Sequence, residues 1–152
     1  MPSPAALVPH AQDALLLDEI TSATERALQA RLIVRRGTAF SDQSGNLPAW
    51  VGPEIMAQAI AALSGCRALR SHGRPGAIGL LLGVRSYVAV GREFRCGDSL
   101  QVEVIESSRD EDGRAVYDGS ICRAGEVLAS GTLTVFEPPD DSFLDVECTS
   151  HA

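Results

Sequence analysis

A long stretch without charge is the feature that most limits how this chain can fold. No charged residue occurs between Glu54 and Arg67 in the segment 47–70 (LPAWVGPEIMAQAIAALSGCRALR), and residues 55–69 are almost all Ala, Ile, Leu, Met and small polar types, which are mostly good helix formers. An ordinary surface helix has one apolar stripe and one charged face. The sequence therefore predicts one long helix over about 47–70 that is buried nearly all round. Asn46 is its expected N-cap, and Pro48 is expected in its first turn.

One carboxylate enters this apolar helix. Glu54 is followed four residues later by Gln58, and this spacing places both side chains on one helix face. A carboxylate removed from water is costly unless it is protonated, paired or hydrogen-bonded. Glu54 is therefore the first candidate for a functional residue. The alternative is a structural carboxylate that is satisfied by the backbone or by Gln58.

Composition narrows the classes of function. The chain of 152 residues is long enough for one domain with a core, and its net charge of −7 argues against nucleic acid or an anionic membrane as the main partner. No apolar run reaches the length of a membrane span, and the N-terminus lacks the pattern of a signal peptide, so we expect a cytoplasmic protein. Four cysteines without paired spacing predict reduced thiols rather than a metal site or a disulfide framework.

The rest of the chain has the pattern of an antiparallel sheet. The segment 32–34 favours a strand before the helix, and the apolar segment 77–90 favours one after it, bent near Gly83. Three further strands are predicted at 99–107, 115–123 and 127–136, with turns at Asp112-Gly113 and Ala124-Gly125. We expect an α+β fold in which this sheet wraps around the helix. The expected domain covers 1–139, and an acidic tail over 140–152 is expected to be mobile.

Three motifs resemble those of the hotdog-fold 3-hydroxyacyl-ACP dehydratases. They are Pro9-His10 followed by LLLD at 15–18, PAWVGPEIMAQ at 48–58, and FRCGDSL at 94–100. A more specific resemblance is to the dehydratase-like subunit of aryl-polyene biosynthesis clusters. Its patterns LPAWVGxExMAQA and IGxLLGxRxY are met by residues 47–59 and 78–87.

The resemblance implies dehydration of 3-hydroxyacyl thioesters held on acyl carrier protein (ACP), with no metal and no bound cofactor. In the family, a histidine and an acidic residue from different subunits of a dimer perform the proton transfers. Glu54 matches the acidic residue, but position 40, where the family histidine is expected, is Phe40. No histidine occurs between His10 and His72. The expected assembly is a homodimer, a heterodimer with a paralogous hotdog subunit, or a higher oligomer. Either His10 replaces the missing group, or the paralogous subunit supplies it.

Four other residues have expected roles in this reading. Gln58 would orient Glu54 or the substrate, or act as a structural hydrogen-bonding group. Trp50 and Val51 would line an acyl tunnel or fill the core. Arg85 would contact the phosphopantetheine arm or form an ion pair at a subunit interface.

Two other functions remain open. Hotdog folds also house acyl-CoA and acyl-ACP thioesterases, in which a helix carboxylate attacks the thioester or activates water, and Glu54 fits that chemistry. A scaffold subunit that stabilises an active partner is the non-enzymatic alternative, since fold alone does not fix function.

Overall fold

The computed structural model describes residues 1–8, 14–72 and 79–137 of the chain. In chain order, the elements are α1 (Pro4–Leu7), β1 (Glu19–Ala23), β2 (Ala27–Ile33), β3 (Leu47–Pro48), a 3₁₀ turn (Ala49–Val51), α2 (Gly52–His72), β4 (Leu80–Ala89), β5 (Glu93–Phe94), β6 (Ser99–Arg109), β7 (Arg114–Arg123) and β8 (Glu126–Phe136).

Six strands form one antiparallel sheet in the order β1-β2-β6-β7-β8-β4. The long helix α2 packs against one face of this sheet, where it contacts β2, β6, β7, β8 and β4. Strand β4 forms an edge of the sheet. The predicted α+β hotdog arrangement, an antiparallel sheet around one long helix, is confirmed.

The helix is covered nearly all round, as its lack of charge predicts. None of the residues 52–69 is exposed, and Ile55, Met56, Ala59, Ala62 and Leu63 are fully buried. The helix approaches β7 closely at Gly119, where an added Cβ atom would lie only 2.8 Å from the sulfur of Met56. A side chain at position 119 would therefore require the side chain of Met56 to move.

The predicted start of the helix is wrong by five residues. Leu47 and Pro48 pair with Phe94 and Glu93 in a short two-stranded sheet, and α2 begins only at Gly52, after the 3₁₀ turn. Asn46 does not cap the helix, because its Oδ1 atom accepts the backbone N–H of Cys96 at 2.8 Å. A residue before proline is biased away from helical geometry, which agrees with an extended Leu47.

The strands of the second half agree with their predicted positions. In β6, the side chains of Leu100, Val102 and Val104 are buried, as the alternation indicates. Both predicted turns are present: Gly113 has φ +97°, and Ala124 and Gly125 have φ +50° and +83°. At the other end, α2 continues two residues beyond the predicted end at about 70, to His72.

Several expectations fall outside the described residues. These are the position of His10, the start of the strand predicted over 77–90, the domain end at 139 and the acidic tail over 140–152. No helix in the described part of the chain is long and apolar enough to cross a membrane. Within the same residues, no group of three or more His, Cys, Asp or Glu side chains has the arrangement of a metal site.

Candidate active site

Gln58 is the hydrogen-bonding centre of the candidate site. Its side chain is fully buried, and its Oε1 atom accepts the backbone N–H of Leu16 at 2.8 Å. Its amide nitrogen donates to the carbonyl oxygen of Ala14 at 2.8 Å and to Oε1 of Glu54 at 3.1 Å. One side chain therefore links the segment before β1 to the helix and to the candidate acidic residue.

Glu54 lies in the first turn of α2 and is half-buried. The hydrogen bond from Gln58 orients the carboxylate from one turn further along the helix. A carboxyl group held in this way at a helix N-terminus is suited to proton transfer with a bound substrate.

The two residues predicted to line an acyl tunnel lie in the 3₁₀ turn that precedes the helix, but in different environments. Val51 is fully buried in the core, whereas Trp50 is 69% exposed. The turn is fixed by two backbone bonds, from Gly52 N–H to Ala49 O and from Ala49 N–H to Arg92 O at 2.8 Å. Trp50 thus does not fill the core of the described chain, and its indole lies at the surface just before Glu54.

Arg85 lies on the edge strand β4, where its side chain is exposed. Within the described residues it forms no ion pair, and the structure does not place it beside Glu54. The neighbouring Tyr87 is half-buried and donates from its hydroxyl to the carbonyl oxygen of Ala49 at 2.6 Å. The same strand carries exposed Leu80, Leu81, Leu82 and Val88.

A cleft opens between the segment before β1 and the end of β2. Its lining includes Leu15, Leu16 and Leu47 together with Asp18 and Arg35, which form an ion pair at 2.9 Å. Leu16 connects the cleft to the site, because its N–H is the group that Gln58 binds. One lining residue of the cleft is therefore bonded to Gln58, but neither Gln58 nor Glu54 lines the cleft.

Comparison with known proteins identifies the family. The family model described as ApeP-like, ApeP dehydratase, matches residues 2–145. The chain belongs to this family. The dehydratase heterocomplex ApeI:P from Xenorhabdus doucetiae contains a chain that is 26% identical and superposes with a TM-score of 0.84, over 96% of this chain and 97% of that one.

Two more distant solved structures share the fold alone. A mutant of the phenylacetic acid degradation protein PaaI from Thermus thermophilus is 18% identical, with a TM-score of 0.59 over 78% of this chain and 91% of that one. A hypothetical thioesterase with coenzyme A from Streptococcus pneumoniae is also 18% identical, with a TM-score of 0.59 over 78% of this chain and 83% of that one. A search of curated proteins finds no match.

Membership of the ApeP-like dehydratases makes the absent histidine the main question about the site. Phe40 is half-buried and packs against the core, so it provides no proton-transfer group at the position where the wider dehydratase family carries histidine. His10 lies outside the described residues. It precedes Ala14 by four residues, and Ala14 is bound by Gln58. The structure thus brings Gln58 and Glu54 together and, among the described residues, gives Arg85 no contact with them.

A second polar cluster, which sequence reasoning did not find, lies where the last turns of α2 meet β6, β7 and the end of β8. Arg67 and Arg109 both bind Glu106, and the hydroxyl of Tyr117 donates to Glu137 at 2.6 Å and accepts from Arg67 at 2.9 Å. We refer to these five residues as the Arg67 cluster. Arg67 follows Glu54 by 13 residues, which corresponds to about 20 Å along a helix, so the cluster is remote from Glu54.

The Arg67 cluster also shifts the pKa values of its members. Burial opposes ionisation of Glu106, but hydrogen bonds and positive charge from Arg109 and Arg67 outweigh burial and lower the pKa of this carboxyl. Burial raises the pKa of Tyr117, and the negative charge of Glu137 and its hydrogen bond to Tyr117 raise it further. The cluster therefore holds Glu106 ionised and Tyr117 neutral near pH 7.

Proposed function

We propose that this chain is the subunit carrying the acidic residue of a composite dehydratase, which removes water from 3-hydroxyacyl groups on ACP in aryl-polyene biosynthesis. One observation carries the proposal. Glu54 is positioned at the start of a buried helix by Gln58, while Phe40 occupies the place of the family histidine. Half of a catalytic pair is therefore built into this chain.

The reaction requires two proton transfers. A base removes the proton from C2, and an acid donates a proton to the hydroxyl group on C3, which leaves as water. Negative charge develops on the thioester oxygen, and N–H groups at a helix N-terminus stabilise it. In this proposal Glu54 donates the proton to the leaving hydroxyl, and a histidine acts as the base at C2.

The histidine of this proposal comes from a paralogous hotdog subunit. The similar chain from Xenorhabdus doucetiae is found in a dehydratase heterocomplex. In this chain, the edge strand β4 presents an apolar row in which Leu80, Leu82 and Val88 are 61%, 50% and 64% exposed. An edge with unpaired backbone groups and exposed apolar side chains is suited to pairing with a strand of another subunit.

The charge on β4 favours a different chain over a second copy as this partner. Arg85 lies beside the midpoint of β4 (Leu80–Ala89). Antiparallel pairing of β4 with its own copy about that midpoint would bring two Arg85 side chains close together, and like charges across a strand pair are destabilising. A paralogue with an acidic residue opposite Arg85 would form an ion pair instead.

The carrier protein is proposed to dock around Trp50. Arg92 binds the turn through its carbonyl oxygen, and Arg95 follows on the adjoining segment; neither side chain forms an ion pair within the described residues. Exposed arginines in a chain of net charge −7 would attract a negatively charged carrier. The KM for carrier-bound substrate should rise with ionic strength, and a KM independent of salt would contradict this docking site.

The test of the function compares Glu54 variants in two settings. Dehydration of a 3-hydroxyacyl-ACP is measured with the purified chain alone and with the chain mixed with a paralogous hotdog subunit. We expect activity only in the mixture, with a loss of about 100-fold or more in Glu54→Gln, which retains the hydrogen bond to Gln58 but not the acid. Full activity of Glu54→Gln in the mixture would mean that this chain acts only as a scaffold.

The same experiment tests whether His10 is the base and whether the chain is a thioesterase. If the chain alone is active and His10→Ala abolishes that activity, His10 is the base and no partner histidine is needed. Release of free thiol from the acyl thioester, without formation of an enoyl product, would indicate a thioesterase. The thioesterase remains the second candidate because a carboxylate at the start of the helix fits that reaction.

A further inference from the structure

The edge strand β4 contains a backbone irregularity that directs one side chain toward the start of the helix. Its pairing with β8 shifts register between Arg85 and Val88, and Ser86 has φ +55°, an uncommon conformation for a residue with a side chain. Such a bulge changes which side chain faces inward. Arg85, Ser86 and Val88 are exposed, whereas Tyr87 between them is half-buried.

Two glycines leave space for Tyr87, one beside its ring and one beside its hydroxyl. A Cβ atom added at Gly131 on β8 would lie 3.3 Å from both the Cα and the Cδ1 atoms of Tyr87. A Cβ atom added at Gly52, the first residue of α2, would lie 1.9 Å from the Tyr87 hydroxyl oxygen. Neither glycine has a positive φ, so what each supplies is space for this tyrosine.

The Tyr87 hydroxyl then completes the support of the turn before α2. It donates to the carbonyl oxygen of Ala49, which also accepts the N–H of Gly52. Burial raises the pKa of Tyr87, which keeps this hydroxyl protonated as a donor at neutral pH. On the opposite side of the turn, Ala49 N–H donates to the carbonyl oxygen of Arg92. The backbone at Ala49 is therefore held from two directions, five residues before Glu54.

We propose that Tyr87 is a positioning residue for the dehydratase site, fixing the turn Ala49–Gly52 from which α2 carries Glu54. The inference rests on the proposed function of Glu54. Because the proton donor and the base are proposed to lie on different subunits, the direction in which α2 leaves the turn sets the distance between them. Errors of about 1 Å in such an arrangement reduce rates by about 100-fold.

The chain contains a fluorescent reporter of the turn and a second tyrosine that serves as the control position. Trp50 is the single tryptophan and lies one residue after Ala49, so its fluorescence senses the turn directly. Tyr117 is the other of the two tyrosines, and it belongs to the Arg67 cluster, remote from the turn. Tyr87→Phe and Tyr117→Phe therefore remove the same hydroxyl group at the two ends of the helix.

The experiment measures both readouts for both variants. In the full complex, Tyr87→Phe should lower kcat for 3-hydroxyacyl-ACP dehydration by roughly 10- to 100-fold. In the isolated full chain, it should change the emission maximum or the acrylamide quenching of Trp50. Tyr117→Phe should leave both readouts at the wild-type level. Gly52→Ala, which displaces the Tyr87 hydroxyl, should reproduce the Tyr87→Phe result.

Two outcomes would overturn the proposal. If Tyr87→Phe alters the Trp50 signal and leaves kcat unchanged, Tyr87 is structural only. If kcat falls while the Trp50 signal stays that of the wild type, Tyr87 acts by another route. Failure of the proposed function can be distinguished from failure of this proposal. A wild-type complex without dehydratase activity would contradict the role of Glu54. The Trp50 signal would still report whether Tyr87 fixes the turn.

Discussion

At the scale of single residues, Gln58 joins three parts of the site through one amide group. We expect Gln58→Ala to lower the free energy of unfolding by about 2–4 kcal/mol, because it leaves the buried N–H of Leu16 and the carbonyl of Ala14 without their partner. Chemical denaturation measures this change. In the proposed complex, dehydratase activity should fall as well, since Glu54 loses its orienting donor.

Gln29 offers a matched control for that substitution. Its side chain donates to Glu103 at 2.6 Å, but this pair is exposed on the sheet. Gln29→Ala should therefore change the free energy of unfolding by no more than about 0.5 kcal/mol. Equal losses at the two positions would mean that burial of the Gln58 contacts contributes nothing, which would contradict the role assigned to this residue.

At the scale of secondary-structure elements, the Arg67 cluster ties the last turns of α2 to β6 and β7 and makes stability depend on pH. The folded pKa of Glu106 is lowered from its ordinary value of 4.5, so its contribution is complete above that pH and is lost as pH falls through the lower folded value. Glu106→Gln should therefore be destabilised by about 3 kcal/mol near pH 7 and less at pH 3.

At alkaline pH the dependence of stability on pH is reversed, so that stability falls as pH rises. The pKa of Tyr117 is raised above its ordinary value of 10.0, so folding keeps the phenol protonated, and this contribution is lost as pH rises above 10.0. Urea denaturation across pH 3–11 tests both groups. Glu103→Gln on the exposed face of β6 is the control and should follow the wild-type curve. A Glu106→Gln defect of the same size at pH 3 and pH 7 would contradict the linkage.

The same elements show how far the sequence predicts the fold. Alternation correctly predicted β6, and it also carried an unused signal: Glu106 falls in phase with the buried Leu100, Val102 and Val104. A charge at a buried position of a strand predicts a buried partner, which is Arg67 on α2. The start of α2 was missed because Asn46 and Pro48 have the pattern of a helix start, whereas pairing of Leu47 and Pro48 with β5 is a tertiary contact that a local pattern does not contain.

The site was also predictable only in part, because some of its contacts are tertiary contacts that local sequence patterns do not contain. The i, i+4 spacing predicted that Gln58 and Glu54 interact, and the hydrogen bond confirms it. The role of Tyr87 depends on a bulge at Ser86 and on contact with Gly52, 35 residues earlier in the chain. No local pattern indicates that contact, although two glycines placed where neither turns the chain are a sign of close packing.

At the scale of the whole molecule, the exposed row on β4 is the surface through which we expect the chain to associate with its partner. Leu82 and Val88 are half or more exposed on a strand whose outer edge has no neighbour in the sheet of the described chain. We expect Leu82→Arg combined with Val88→Arg to abolish association with the paralogous hotdog subunit, because two charges would have to be desolvated at the interface. Sedimentation of the mixed subunits measures the loss, and it should coincide with loss of dehydratase activity.

The control for this prediction uses apolar residues of similar exposure elsewhere on the same sheet. Ile105 on β6 and Val127 on β8 are 43% and 52% exposed, and neither lies on the β4 edge. Ile105→Arg combined with Val127→Arg should leave the complex intact, since those positions face solvent in a pairing through β4. If this variant dissociates and the β4 variant does not, the subunits meet through the outer face of the sheet. Glu54 and the partner's catalytic residue would then have to approach each other by a different geometry, so the outcome decides between two architectures of the composite site.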